Sequence, residues 1–355
     1  MTRVGAFRFL THCLAPGARP AIDSVDWPRV VQIASEHWMP LALYRAMEEK
    51  GLVQQLPADL TEYFECLREA NRARNAAILD HVGEAIALLN QISIDPLLLK
   101  GTANLACGLY PDPAIRYLND IDLLVPDARA LECWRHLISA GYRTEPGADA
   151  PVDLPYRHWP ALVRDGRTAE VEIHRATEWP DLPGAADLLA ETQPVTLARG
   201  IARVPGPTGR LIFALGHGFV QHRSAFRASA RLRDLYDCLL LTQRYGATLD
   251  WPRVVETFER AKERTALSHA MVMWRHLFRQ NPPCRLASSR RDRLYWQACL
   301  LDVAAPRLAL AGETLWFLAR NLRGPEERHR LFRRSALLHK LRTAARIWRE
   351  VDTNR

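Results

Sequence analysis

Residues 97 to 125 constrain this chain more than any other stretch. An apolar run, Leu97-Leu98-Leu99, ends in Lys100-Gly101-Thr102. After a helical segment and a Pro-rich loop come Asp120-Ile121-Asp122 and then Leu123-Leu124-Val125. Residues two apart on a strand point to the same face, so Asp120 and Asp122 project together while Ile121 packs behind. Two neighbouring carboxylates repel unless something neutralises them. A divalent cation does so, and hard oxygen donors suit Mg2+. Asp-x-Asp alone is common at strand ends without a metal, so the turn upstream matters. Leu97 to Lys100 reads as a short buried strand. Gly101 lets the backbone turn tightly and approach a ligand closely. Thr102 to Leu109 reads as a helix whose first N–H groups face that ligand, a phosphate cradle. Thr102 offers a hydroxyl there. Lys100 either adds charge beside the phosphates or turns away to pair with a carboxylate.

A second strand pair follows. Tyr156 to Val163 reads as a strand, Asp165-Gly166 as a hairpin turn, and Thr168 to His174 as the return strand. Val171 and Ile173 share one face, and Glu170, Glu172 and His174 the other.

In this order, the apolar strand, the Lys-Gly-Thr turn and Asp-x-Asp resemble the signature of the polymerase-beta-like nucleotidyltransferases. Lys-Gly, Tyr-x-Asp-Pro, Arg and Asp-Ile-Asp-Leu-Leu-Val are more closely similar to the family of uncharacterised nucleotidyltransferases. The likeness is specific over residues 97 to 125 and extends over about 70 to 240. It implies an α+β, mostly helical fold: a small polymerase-beta-like mixed sheet, flanking N-terminal helices and a helical C-terminal half. It also implies Mg2+ or Mn2+ held by Asp120, Asp122 and a third carboxylate. Glu172 fills that place because the family pattern sets an acidic residue two before a His; Glu170 is the fallback. The same resemblance assigns Lys100, Gly101, Thr102, Arg116, His174, His217 and Arg233 to the nucleotide. Arg116 either steadies the aspartates or contacts the nucleotide. His174 binds phosphate, buttresses Glu172, or is simply structural. The chain departs from the superfamily in carrying Thr102 where Ser or Gly is usual, and in a longer gap before Asp120.

Elsewhere the pattern is helical. The run from Val30 to Lys50 has apolar residues at helical spacing and stops at Gly51, a good C-cap. A longer helix spans about Ala58 to Ile92, with an early stripe of Leu60, Tyr63, Phe64 and Leu67. Its later stripe is Ile78, Val82, Ala85, Ile86 and Leu89. Arg72, Arg74 and Asn75 between the stripes are expected to face solvent. Asp127 reads as the N-cap of a helix ending before Gly141. A loop-rich stretch is expected up to residue 206, and more helix beyond it. His217, His222, Arg233, Asp234 and Asp237 gather polar groups by helical spacing. A lid over the nucleotide, with Arg233 or His217 near its phosphates, explains them better than a second metal site. Asp250 caps a further helix over 250–280. The expected domains are 1–95, N-terminal helices; 96–206, the catalytic core; and 207–355, the helical C-terminal domain.

Composition sets the remaining limits. The chain has 355 residues, 48% of them hydrophobic and 25% charged, as in ordinary globular proteins. No apolar run is long enough to span a membrane. Seven cysteines without a Cys-x-x-Cys pair argue against a disulfide framework or a zinc knuckle, and a reducing cytoplasm is expected. The net charge of +8 sits mostly in residues 319–355, which contribute +7. Four lysines against 44 arginines reflect a compositional bias, which weakens any phosphate-binding argument from arginine alone. The expected partners are an NTP and a small-molecule, peptide or protein acceptor. RNA is the alternative acceptor, supported only by the basic C-terminal segment. A non-catalytic relic of the fold is the other alternative.

Overall fold

The computed structural model describes residues 1–144, 158–175, 191–221, 228–284, 286 and 289–312. The basic segment 319–355 and His222 lie outside them. Helices α1 (Arg3–Leu14), α2 (Trp27–Glu36), α3 (Pro40–Glu49) and α4 (Ala58–Gln91) precede the first strand. Strand β1 (Leu97–Leu98), helix α5 (Lys100–Ala106), strand β2 (Asp120–Leu124) and helix α6 (Ala130–Ser139) follow. Next come β3 (Arg143–Thr144), β4 (Leu162–Val163), β5 (Glu170–His174), β6 (Thr192–Leu197) and β7 (Gly200–Pro205). Helices α7 (Pro207–Gly216), α8 (Leu232–Tyr245), α9 (Trp251–Arg260), α10 (Arg264–Phe278) and α11 (Arg290–Ala304) complete the described chain. The fold is thus mostly helical α+β.

One seven-stranded mixed sheet runs in the order β3-β4-β5-β2-β1-β7-β6. At its centre β2 lies parallel to β5, with Asp120 opposite Glu170 and Asp122 opposite Glu172. Ile121, Leu123, Val171 and Ile173 are fully buried behind them. That burial fixes the register, because a slip of one residue would turn every acid into the core.

Several helical expectations need correction. The run from Val30 to Lys50 is two helices, broken at residues 37–39. Trp38 there takes a left-handed φ of 60°, and Pro40 opens the second helix. Gly51, with φ 66°, does follow the end of α3. The 250–280 stretch likewise divides, with Lys262 at φ 57° between α9 and α10. Asp250 accepts from the Arg253 backbone N–H as a cap should. Asp127 caps nothing: it lies inside a 3-10 turn and its carboxylate accepts from Arg175 Nε at 2.6 Å. The loop expected before residue 206 is a hairpin, β6–β7, paired over six residues. Pro194 in β6 disguised it, since proline is tolerated only where the ladder needs no donor.

Helix α4 is the long strut. Its later stripe is buried throughout, and Phe64 of the early one is buried too, but Tyr63 is 43% exposed. His81 stacks on Tyr142 just beyond α6 and meets its hydroxyl at 3.0 Å. Burial, then the charge of Arg167, pushes the His81 pKa down to about 4. The unfolded chain therefore binds this proton near pH 6.5 and the folded one does not. Stability is expected to fall as pH drops from 6.5 towards 4. His81→Asn should flatten that part of a Tm–pH profile.

Candidate active site

The acidic face is assembled by the parallel pairing of β2 and β5. Lys100 Nζ and His174 Nε2 both donate to Asp122 Oδ1, at 2.9 Å and 2.8 Å. His174 Nε2 also lies 3.2 Å from Glu172 Oε2, and His158 Nε2 reaches the same oxygen at 4.0 Å. Burial would raise the Asp122 pKa, yet the hydrogen bond from His174 and the charge of Lys100 hold it well below the carboxylate range. Burial likewise opposes ionisation of Glu172, and His174 again overcomes it. Burial would discharge His174, but its bonds to Asp122 and Glu172 raise it to about 9, so it is a cation at neutral pH.

Asp120 is different. Among the described residues no donor meets its carboxylate. Its pKa is raised, first by burial and then by the neighbouring Asp122 charge. Asp122 Oδ2 also receives no hydrogen bond from the described residues. The face thus holds oxygens that two cations, Lys100 and His174, do not satisfy. Hard carboxylate donors left over in a buried acidic cluster fit a divalent cation such as Mg2+. Asp122 and Glu172 each place an oxygen within 4.8 Å of the other and of a ring nitrogen of His174, whose Nε2 is already engaged by both acids; Asp120 stands outside that group.

Beside this face lies a cavity of ≈ 230 Å³. Asp120 and Asp122 form one wall with Lys100 and Gly101, while Arg210, His217, Arg231 and Arg233 from the C-terminal helices face them. Glu172 and His174 lie outside its lining. Five basic side chains and four carboxylates surround the space, a balance suited to a polyanion accompanied by a cation.

Helix α5 begins at Lys100, not Thr102, and ends at Ala106, so β1 is shorter than expected. The left-handed residue of the turn is Lys100, φ 51°, and not the glycine. Gly101 is needed for another reason: a Cβ there would sit 2.5 Å from Leu118 Cδ2 and 3.2 Å from Arg116 Nη2. Gly101→Ala should therefore force the Leu118 and Arg116 side chains to shift, read as a lowered Tm. Thr102 is buried outside the cavity lining; its hydroxyl reaches the backbone oxygen of Asp120 at 3.4 Å. It braces β2, contrary to the expected contact with phosphate.

The loop before β2 is clamped by α4. Asn75 Nδ2 donates to Pro113 O and Arg116 O, at 2.6 Å and 2.8 Å, Asn71 to Ala114 O and Arg116 O. Arg74 donates to Leu118 O at 2.9 Å and lies over the Tyr117 ring, which stacks on Trp38. Arg74 and Asn75 therefore face this loop, not solvent; Arg72 pairs with Glu69 and Asp112.

Arg116 is buried and pairs with Asp237 of α8 at 3.1 Å, an acid other than the two aspartates of β2. Tyr110 donates to the second oxygen of Asp237 at 3.1 Å. Burial opposes the Asp234 charge, but His217, 3.6 Å away, holds its pKa well below the ordinary range. Burial and then Arg116 lower the Arg233 pKa. Arg116 and Tyr110 thus tie α8 to the segment before β2, and Arg116, His217, Arg233, Asp234 and Asp237 line the cavity. Arg210 was not foreseen. It is 6% exposed, lines the cavity, reaches Asn104 Oδ1 at 3.4 Å and leaves its Nε without a partner among the described residues.

The model of the family described as "Uncharacterised nucleotidyltransferase" matches residues 23–279, most of the chain. This chain belongs to that nucleotidyltransferase family. The family match covers both the acidic face on β2 and β5 and the helices α7 and α8 across the cavity. No curated protein matches the chain. It is also similar to the crystal structure of an antigenic nucleotidyltransferase-like protein from Paracoccidioides brasiliensis. Identity is 16%, the match covers 58% of this chain and 95% of that one, and the TM-score is 0.37.

Proposed function

We propose that this member of the family transfers an NMP group from an NTP to a small-molecule, peptide or protein acceptor in a Mg2+-dependent reaction. The observation that carries this reading is Asp120 and Asp122 on one face of β2, with Glu172 in register on β5 and Lys100 against Asp122. Asp120, Asp122 and Glu172 would hold Mg2+, which supplies charge neutralisation to the attacking and leaving oxygens when bound. Lys100, Gly101 and Arg210 border the space for the triphosphate, with Arg233 and His217 facing them. An acceptor hydroxyl, phosphate or amine attacks the α-phosphorus, the bond to pyrophosphate breaks, and Glu172, an ionised carboxylate, takes the proton that a hydroxyl or amine gives up. His174 holds Asp122 and Glu172 together in their charged forms.

The reading requires the nucleotide to bind with the metal. Mg-ATP is expected to raise the Tm of the protein, and ATP in EDTA to raise it far less. Equal shifts in both conditions would count against it. Among the described residues no helix is long and apolar enough to cross a membrane.

A further inference from the structure

A second cavity, of ≈ 610 Å³, shares no lining residue with the first. It lies where α1, the end of α10 and α11 meet. Arg8 and Thr11 come from α1, Arg275 and His276 from the last turn of α10, Arg279 from its C-cap, and Trp296 from α11. No carboxylate lines it. Arg8, Arg275 and Arg279 are all exposed, and among the described residues none of their side chains makes a hydrogen bond or an ion pair. Elsewhere on the surface some arginines meet acids, as Arg129 does Glu132, Arg253 Glu191 and Arg260 Glu256, while Arg19, Arg135, Arg290, Arg291 and Arg293 form no ion pair among the described residues. What distinguishes the groove is that three such arginines converge on one concavity whose lining holds no carboxylate.

Two histidines register the resulting field. His276 is pushed below its ordinary pKa by burial, then by Arg275 and Arg8. His12 is pushed down by burial, then by Arg279 and Lys50. Cations in a last helical turn answer the helix dipole, which explains Arg275. The same argument does not reach Arg8, in the middle of α1.

The groove also has a flat aromatic floor. His276 lies on the Trp296 indole, centroids 4.4 Å apart and planes 3° from parallel. Trp296 packs against the core, and His276 stays exposed. Cations beside an exposed, rigidly backed ring are the elements with which proteins hold nucleotide phosphates and stack bases.

We propose that this groove binds a nucleotide, its phosphates on Arg8, Arg275 and Arg279 and its base stacked on His276. A free nucleotide and a strand of RNA present this same chemistry. The site is separate from the acidic face, so it stands whether or not nucleotidyl transfer is found.

The test uses the Asp120→Asn protein in EDTA, which suppresses metal-dependent binding. Fluorescent ATP and a labelled oligouridylate are titrated by anisotropy in separate arms. Binding in the first arm alone identifies a free nucleotide; binding of the oligonucleotide, at least ~10-fold tighter and steeply salt-dependent, identifies a strand. In either case Arg8→Ala/Arg279→Ala should weaken binding at least ~10-fold, and should lower a strand's salt slope by about 1.4. His276→Ala should weaken the nucleotide probe but not inorganic tripolyphosphate. Failure of both probes to bind, or unchanged binding by the arginine variant, would overturn the proposal.

Discussion

Asp120→Asn is expected to remove nucleotidyl transfer while leaving the fold at least as stable as the wild type. Its carboxylate meets no donor among the described residues, and its raised pKa records the cost first of burying that charge and then of holding it beside Asp122. Relieving charge burial and like-charge repulsion stabilises, while losing a ligand for the proposed cation should cost at least ~10³-fold in turnover, about 4 kcal/mol. Asp122→Asn separates from it. Asp122 is 1% exposed and compensates both Lys100 and His174. Its loss leaves two cations without their acid, and removing one partner of a buried ion pair typically costs about 3–5 kcal/mol. Strand alternation alone places the two aspartates on one face and does not tell them apart. The structure makes only Asp120 removable. Denaturant unfolding of the two variants beside the wild type checks this, and equal stabilities would refute it.

Arg116→Ala should unfold the protein more readily than any substitution on the cavity's basic rim. Arg116 and Asp237 are both buried and joined at 3.1 Å, and Asp237 already has a raised pKa because burial outweighs the help of Arg116. Truncation would strand that carboxylate with Tyr110 as its remaining hydrogen-bond donor among the described residues. The expected loss is about 3–5 kcal/mol. Replacing both partners, as Arg116→Met with Asp237→Leu, should recover much of it, because an apolar pair carries no desolvation penalty. On the proposed function the double variant should still transfer poorly, since both residues line the cavity beside the acidic face. A loss below about 1 kcal/mol for Arg116→Ala would show the pair to be solvated.

The acidic face was legible because strand periodicity is strict: Asp120 and Asp122 on β2, and Glu172 and His174 on β5, follow from alternation with buried Ile121, Val171 and Ile173. The later stripe of α4 was legible for the same kind of reason. What escaped was set by tertiary contacts. Asn71 and Asn75 look like solvated polar residues on a helix, and only the loop they hold makes them buried clamps. Arg210 has no local signature in a chain so rich in arginine. The helix breaks at Trp38 and Lys262 are left-handed residues that are not glycine, a conformation the sequence does not announce. Lys100 belongs with them. Its positive φ, rather than any freedom of Gly101, starts α5 and accompanies its ammonium's pairing with Asp122.

The central claim is tested most directly by incubating the protein with each α-labelled NTP, Mg2+ and a fractionated cell extract, beside the Asp120→Asn variant. The account predicts label covalently attached to an extract component by the wild type and not by the variant, with release of pyrophosphate. Equal labelling by both proteins, or a failure of the wild type even to bind Mg-NTP, would contradict it.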